Sequence, residues 1–205
     1  MTEQPTAKSM WEERYGADYY VFGTEPNEFL RDSLAMLPAG EILCLAEGEG
    51  RNAVFLAGTG RRVTSVDLTD AGVTKTLRLA SERGVEVDAR VGDLSTFDLG
   101  QAKWDAVVSI FAHMAPRDRA DLHRRVVEAL RPGGLLLLEA YTPDQIGRGT
   151  GGPQSVELTM TLSSLEQELA PLELLHAVET ERVVTEGPGH TGNAAVVQVI
   201  ARKVT

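Results

Sequence analysis

From Glu41 onward, short apolar runs alternate with longer stretches that carry one apolar face. Ile42-Leu43-Cys44-Leu45-Ala46 is an unbroken apolar run of strand length, the mark of a strand buried on both sides. Asn52 to Ala57 opens a short helix that ends near Gly58 and Gly60. Arg62 to Val66 is rich in β-branched residues and leads to Asp67, so it reads as a second strand. Thr69 to Arg83 reads as a helix with Gly84 as its stop. Val85-Glu86-Val87 alternates toward Val91 and predicts a third strand, and Trp104 to Phe111 a fourth. Pro116 to Leu130 predicts a helix, with proline in its first turn and Leu122, Val126 and Leu130 on one face. Leu135 to Tyr141 reads as a fifth strand.

Strands alternating with helices imply right-handed crossovers and a mostly parallel sheet covered on both faces, an α/β doubly wound architecture. The last stretch changes rhythm. Leu162 to Leu169 reads as a short helix, then Leu172 to Thr185 and Ala194 to Lys203 both read as strands. The turn-rich segment Glu186 to Asn193 joins them, so the sheet is expected to finish with an antiparallel hairpin. Ahead of the first strand lies an arm, Met10 to Leu37. Within it Trp11, Tyr15, Tyr19, Tyr20 and Phe22 crowd into residues 11–22, nearly half of the chain's 5 Phe, 4 Tyr and 2 Trp. That density predicts an arm, residues 1–37, packed on a body of residues 38–205 as a lid.

At 205 residues the chain has the length of about one domain. Its 30 Asp+Glu against 20 Lys+Arg give a net charge of −10. Duplex binding draws on counterion release by a basic surface, so neither nucleic acid nor an anionic membrane is an expected partner. The longest aliphatic run, Leu135 to Leu138, is far short of a bilayer span. Met1 to Ser9 is polar, unlike a secretory signal, so a cytoplasmic location is expected. The single cysteine, Cys44, excludes an internal disulfide and a thiolate-rich metal site, and no metal is expected.

The first strand runs into Glu47-Gly48-Glu49-Gly50-Arg51-Asn52-Ala53. Glycines permit a sharp turn and close approach of backbone to a ligand, and the following helix offers free N–H groups. Asp67 closes the second strand seventeen residues after Gly50, where a carboxylate can accept from both hydroxyls of a ribose. A single glycine-rich turn is also an ordinary connection, and Gly48, Gly50 and Ala53 satisfy the dinucleotide fingerprint as well. Val91-Gly92-Asp93-Leu94 places a second carboxylate after the third strand. Asp93 there can accept from an adenine amino group, and the Leu94 N–H can reach a ring nitrogen.

With ILCLAEGEGRN, SVDLT, VGDLSTF, WDAVVSIF and LRPGGLLLLEAY in this order and spacing, the chain resembles class I S-adenosylmethionine-dependent methyltransferases from about Glu41 to Lys203. The arm WEERYGADYYVFGTEPNEFL and the loop YTPDQIGRGTGGP resemble more narrowly the tellurite-resistance methyltransferase branch. The resemblance implies a Rossmann-like, seven-stranded sheet, S-adenosylmethionine as cofactor and S-adenosylhomocysteine as product. It implies that Gly48 and Gly50, with Glu47, Arg51 and Asn52 around them, carry the methionine part. Asp67 would hold the ribose, Leu68 would pack on the adenine, Asp93 and Leu94 would bind its edge, and Ile110 and Phe111 would floor the site. The family's acidic residue in the first strand is Cys44 here and its first glycine is Ala46. Glu47 and Glu49 stand in the turn instead, either to pair with the cofactor's α-ammonium or to face water.

Methyl transfer from a sulfonium is an in-line displacement whose leaving group is already activated, so few catalytic groups are needed beyond alignment. Candidates beyond the strand ends are His113, Tyr141 and His190, with Gln145 and Glu186 nearby. Each has an ordinary alternative: a capping histidine, or a core tyrosine. Gly147 to Gly152, with Arg148, is either a mobile cover offering a basic contact or a solvated linker. Cys44 reads as a small buried hydrophobe. The expected acceptor is a small molecule or oxyanion, tellurite-, selenite- or thiol-like compounds included, because no recognition domain for a polymer is visible. Two other readings remain: an NAD(P)-dependent reductase or epimerase, against which Tyr141 has no lysine close behind, and a cofactor-binding protein without catalysis.

Overall fold

The computed structural model describes residues 6–204. Seven strands form one sheet in the order β3-β2-β1-β4-β5-β7-β6. The arm supplies helices α1 (Ala7–Tyr15) and α2 (Glu28–Asp32). Then follow β1 (Glu41–Leu45), α3 (Arg51–Gly58), β2 (Arg62–Asp67), α4 (Asp70–Arg83), β3 (Asp88–Val91) and β4 (Trp104–Ile110). The rest is α5 (Pro116–Ala129), β5 (Leu130–Tyr141), α6 (Leu162–Glu168), β6 (Glu173–Thr185) and β7 (Thr191–Arg202). β1 pairs in parallel with β2 and β4, β2 with β3, and β4 with β5. β7 lies antiparallel to both β5 and β6. The predicted doubly wound sheet with its antiparallel end is the fold observed.

Alternation along the central strands divides the core in two. Leu43 and Leu45 of β1, with Leu136 and Leu138 of β5, face α5 and α6 through Leu122, Val126, Leu165 and Leu169. Ile42, Cys44, Val108 and Leu137 face the other way, onto Leu30, Leu56 and Leu79 of α2, α3 and α4. Cys44 is a fully buried free thiol in that layer, pushed up by burial and by the nearby Glu47 carboxyl.

Element boundaries differ from expectation where backbone geometry overrides pattern. Gly84 caps α4 in the left-handed conformation, and the chain joins the sheet only at Asp88, not at Val85. β5 begins five residues early, at Leu130 rather than Leu135. Leu130 pairs with Trp104 and Leu135 with Ala106, so Arg131 to Gly134 form an irregularity inside the strand. The connection between β6 and β7 shortens to Glu186–His190, because pairing extends to Thr185 and Thr191.

The turns after β1, β4 and β5 open at one edge of the sheet, where open α/β sheets place their ligands. Two residues there, Ala46 (φ 47°) and Phe111 (φ 56°), hold left-handed backbone without being glycine. Such strain costs on the order of 1–3 kcal/mol and gathers at functional sites.

Candidate cofactor and acceptor site

The turn after β1 is built on its own carboxylates. Glu47 Oε1 accepts from the Asn52 and Ala53 amides, both at 2.8 Å, and so caps the start of α3. Glu49 accepts from the arm instead: its Oε2 takes the Val21 amide at 2.7 Å and the Phe22 amide at 3.3 Å. Its Oε1 pairs with Lys75 at 2.7 Å, whose ammonium also donates to the Tyr19 carbonyl. Neither glutamate faces water, as one of the two expectations had it.

Asp67 is buried at the end of β2. Its Oδ2 accepts from the Gly48 amide at 2.8 Å, and its Oδ1 from the amide and hydroxyl of Thr69 at 3.0 and 2.7 Å. Three of the roughly four lone-pair directions of that carboxylate are therefore used, which leaves one for a ligand hydroxyl. Asp93 lies just past the end of the neighbouring strand, β3, and is exposed. Its Oδ1 accepts from the Ser95 hydroxyl and amide at 2.7 and 2.8 Å, and these bonds hold its carboxyl below the usual range. The Gly92 amide donates to the Asp67 carbonyl at 2.8 Å and ties the two strand ends together. Leu68 is half-buried between them, and Leu94 and Ile110 are buried in the core.

The arm lies over this turn. Tyr15 is buried, and a Cβ added at Gly48 would fall 2.7 Å from the Tyr15 hydroxyl. Burial first, then Asp67 and Glu49, push that phenol far above its ordinary value, so it stays a hydrogen-bond donor. Trp11 stacks on Tyr15, Phe22 meets Tyr15 edge-on, and Phe22 lies against His190 with ring centroids 4.4 Å apart. Glu12 accepts from the Asp70 and Ala71 amides and caps α4 from the arm. Sequence reasoning placed no arm residue at the site; the aromatic density was its one signal.

Beyond the turn lies a buried polar network. Arg51 pairs with Glu186 at 2.6 Å. Glu139, fully buried near the end of β5, accepts from Asn27, Gln198 and both Nε and Nη2 of Arg182. Four donors on two oxygens mean that Glu139 is a carboxylate. Asn27 also donates to Glu186, and its backbone amide donates to Asn52 Oδ1 at 2.9 Å. Burial works against Glu186, but His190, Arg51 and Arg182 hold its carboxyl far below the usual range. The visible signal for Glu139 was a charge closing four leucines, to which no role had been given.

The three catalytic candidates cluster as rings. Phe111 stacks on Tyr141 at 4.5 Å, and His190 meets both edge-on at 4.8 and 5.6 Å. His113 is engaged by backbone on both nitrogens: Nδ1 lies 2.8 Å from the Leu158 carbonyl and Nε2 accepts from the Tyr141 amide at 3.4 Å. Burial pushes it down to about 4, so it is a neutral, positioned ring rather than a free base. His190 is likewise lowered, by burial first. Arg148, the expected basic contact, instead pairs with Glu181 on β6. Gln145 donates to Thr150 and Gly151 and accepts from the Ala195 amide, which fixes the glycine-rich loop to β7.

Glu47 carries a pH signature. Burial, with Asp67 adding to it, pushes its carboxyl up to about 7 against the pull of the Ala53 amide and Arg51. The folded state therefore binds the proton more tightly than the unfolded chain, whose value lies near 4.5. Its contribution to stability is greatest below about pH 4.5 and falls as pH rises toward 7, by about 3 kcal/mol in all. Urea unfolding of the native protein and Glu47→Gln at pH 5 and pH 8 checks this. The glutamine variant is expected to gain relative stability at pH 8, and a gap independent of pH would place Glu47 at an ordinary value.

A family model described as a methyltransferase domain matches residues 42–134. That stretch of the chain is similar to a methyltransferase domain. A probable S-adenosylmethionine-dependent methyltransferase of Mycolicibacterium smegmatis is 30% identical over 155 residues, which cover 75% of this chain and 56% of that protein. The ethanolamine ammonia-lyase reactivase EutA of Escherichia coli is 26% identical over 83% of this chain and 40% of its own length. The chain thus spans about half the length of these curated relatives. Among solved structures, TehB of Haemophilus influenzae superposes with a TM-score of 0.71 at 18% identity, over 94% of this chain and 65% of that one. A protein solved in work on conversion of a disulfide bond into a thioacetal group during echinomycin biosynthesis gives 0.75 at 19%, over 94% and 88%. At these identities the likeness is one of fold. The chain has no helix, among its described residues, long and apolar enough to cross a membrane.

Proposed function

We propose that the protein transfers the methyl group of S-adenosylmethionine to a small acceptor held between the β1 turn and the ends of β4 and β5. The observation that carries this reading is the placement of Glu47. A dinucleotide's pyrophosphate needs the free amides at the start of the helix. Here the Asn52 and Ala53 amides are spent on the Glu47 carboxylate, and Glu49 and Asp67 lie beside it. Lys75 offsets only Glu49. The turn therefore suits a cofactor whose ammonium and sulfonium are cationic, and it keeps no free Asn52 or Ala53 amide for one with two phosphates. Asp67 has an acceptor position left for a ribose hydroxyl, and the missing Cβ atoms of Gly48 and Gly50 let Tyr15 and Thr76 close on the turn.

When bound, the cofactor supplies an already activated methyl group. The protein's own residues align and shield. Leu68 and Asp93 bracket the open end of the cradle, which suits adenine, and Tyr15 covers the methionine end. Tyr141 and His190 face the acceptor, and Phe111 forms its floor. Tyr15 and Phe22 cover the turn in this closed arrangement, so the arm has to swing for entry and acts as a lid. The acceptor is a small molecule, and the protein works in the cytoplasm; tellurite- and thiol-like acceptors were the sequence-based candidates.

A thermal-shift titration tests the reading. S-adenosylhomocysteine binds the folded form and is expected to raise Tm, by the free energy RT ln(1 + [L]/Kd), about 2.7 kcal/mol at one hundred times Kd. NADPH at the same concentration is expected to leave Tm unchanged. A shift with NADPH and none with S-adenosylhomocysteine overturns the proposal in favour of a reductase.

A further inference from the structure

Four buried side-chain atoms have no hydrogen-bond partner among the described residues: Arg51 Nη1, Tyr141 Oη, Glu186 Oε2 and His190 Nδ1. All four side chains are more than nine-tenths buried. They come from α3, the end of β5 and the turn between β6 and β7, yet they meet in one place. Glu186 Oε2 lies 2.6 Å from the Arg51 guanidinium and 3.7 Å from His190 Nδ1, outside hydrogen-bond distance, and the Tyr141 ring stands edge-on to His190. Buried polar atoms without partners are rare and costly. Glu186 Oε2 is met by the Arg51 ion pair, and the other three, together at one edge of the sheet, mark a place where a ligand completes the bonding.

The fixed charges of this place cancel. Arg51 and Arg182 are matched by Glu139 and Glu186, with the half-exposed Glu28 on Arg182 at the solvent side. His113 and His190 are both held neutral by burial. An anion or cation brought here would be a buried charge without a counter-charge, which costs far more than the bonds it gains. With Glu186 Oε2 taken up by the Arg51 ion pair, the free positions are a pure donor, Arg51 Nη1, and two groups able to donate or accept, Tyr141 Oη and His190 Nδ1. That set fits a group that both donates and accepts. The walls are Phe22, Phe111 and the Tyr141 ring, which suit an apolar body.

We propose that Arg51, Tyr141, Glu186 and His190 form the acceptor subsite and select an uncharged, hydroxyl-bearing molecule with a small apolar body rather than an oxyanion. The proposal rests on the methyltransferase reading above and narrows its acceptor. The glycine-rich loop supplies the cover: a Cβ added at Gly152 would fall 2.7 Å from Tyr141 Cδ2, and one at Gly151 2.8 Å from His190 Cδ2. Beside it opens a cavity of ≈250 Å³ lined by Gln145, Gly147, Gly149, Gly151, Pro153 and Gln154, the size of a small-molecule entrance. Neither that cavity nor one of ≈340 Å³ between Ser95 and Glu128 is lined by the four residues themselves, so the ≈250 Å³ cavity touches the subsite only through Gly151 of the covering loop.

Calorimetry without turnover tests this, with the full chain saturated by S-adenosylhomocysteine and four probes: benzyl alcohol, benzoate, benzylammonium and selenite. Benzyl alcohol is expected to bind at least about tenfold more tightly than the three ions, the scale of one uncompensated charge after relaxation. Glu186→Gln leaves Arg51 unmatched and is expected to reverse the order, so that benzoate overtakes the alcohol. Tyr141→Phe keeps the ring and is expected to weaken the alcohol by about fivefold, the loss of one neutral hydrogen bond, while the ions remain the weaker ligands. If Glu186→Gln does not fold, the tyrosine variant and the native order decide. Binding of benzoate or selenite as tight as the alcohol, an unaltered order in Glu186→Gln, or no probe binding to the S-adenosylhomocysteine complex overturns the acceptor assignment alone. Failure of S-adenosylhomocysteine itself to bind overturns the methyltransferase reading.

Discussion

Glu139→Ala is expected to lower the free energy of unfolding by about 3–5 kcal/mol, the cost of stranding a buried charge. Glu139 is fully buried and is held by four donors. Its removal leaves the Arg182 guanidinium facing an apolar gap and leaves Asn27 and Gln198 each short of an acceptor. Glu139→Gln keeps the volume and one acceptor oxygen, so its loss is expected to be smaller. Chemical denaturation of the three proteins checks both statements. A loss under about 1 kcal/mol in the alanine variant would mean that Arg182 finds Glu28 and Glu186 sufficient.

The second large effect is expected at Gly50→Ala. Gly50 holds φ 96° at the start of α3. An added Cβ would lie 2.7 Å from the backbone Cα of Thr76 on α4, whose hydroxyl lies 3.2 Å from the Gly48 carbonyl. Left-handed strain of about 1–2 kcal/mol and overpacking of about 1–3 kcal/mol act together. The sum is a loss of about 2–5 kcal/mol, read by urea unfolding. Stabilisation by S-adenosylhomocysteine is expected to disappear with it, because α4 and the turn are pushed apart. Gly58→Ala serves as the control: nothing lies within 4 Å of its Cβ, and it stands in helix, so its effect is expected to be neutral or slightly favourable.

What could be read from the sequence was what depends on near neighbours. Ile42 to Leu45 and Leu135 to Leu138 announce buried strands because both of their faces are apolar, and the strand–helix alternation then leaves few ways to wind the sheet. The early start of β5 was hidden because Arg131-Pro132-Gly133-Gly134 has the composition of a loop, while its pairing is set by Trp104 on another strand. Glu47 and Glu49 occupy alternate places in one turn, and nothing local distinguishes them. Only the fold shows that one serves α3 and the other the arm. His113 offered itself as a base by type and position, and tertiary contacts with Leu158 and Tyr141 take up both its nitrogens. Arg51 was legible as a residue of the turn, but its partner Glu186 lies 135 positions further on.

The arm leaves the ribosome before the sheet, yet Asn27 bonds to partners 112 and 159 positions later, Glu139 and Glu186. Contacts so far apart in the chain form late, since the entropy of closing the loop must be met before they reward it. During synthesis Asn27 and Phe22 therefore wait for the final hairpin, which carries Glu186 and His190, while Tyr15 can already settle on the β1 turn. A nascent chain stalled before β7 would hold a nearly finished sheet with its edge still open, and Phe22 would lack the His190 ring against which it packs.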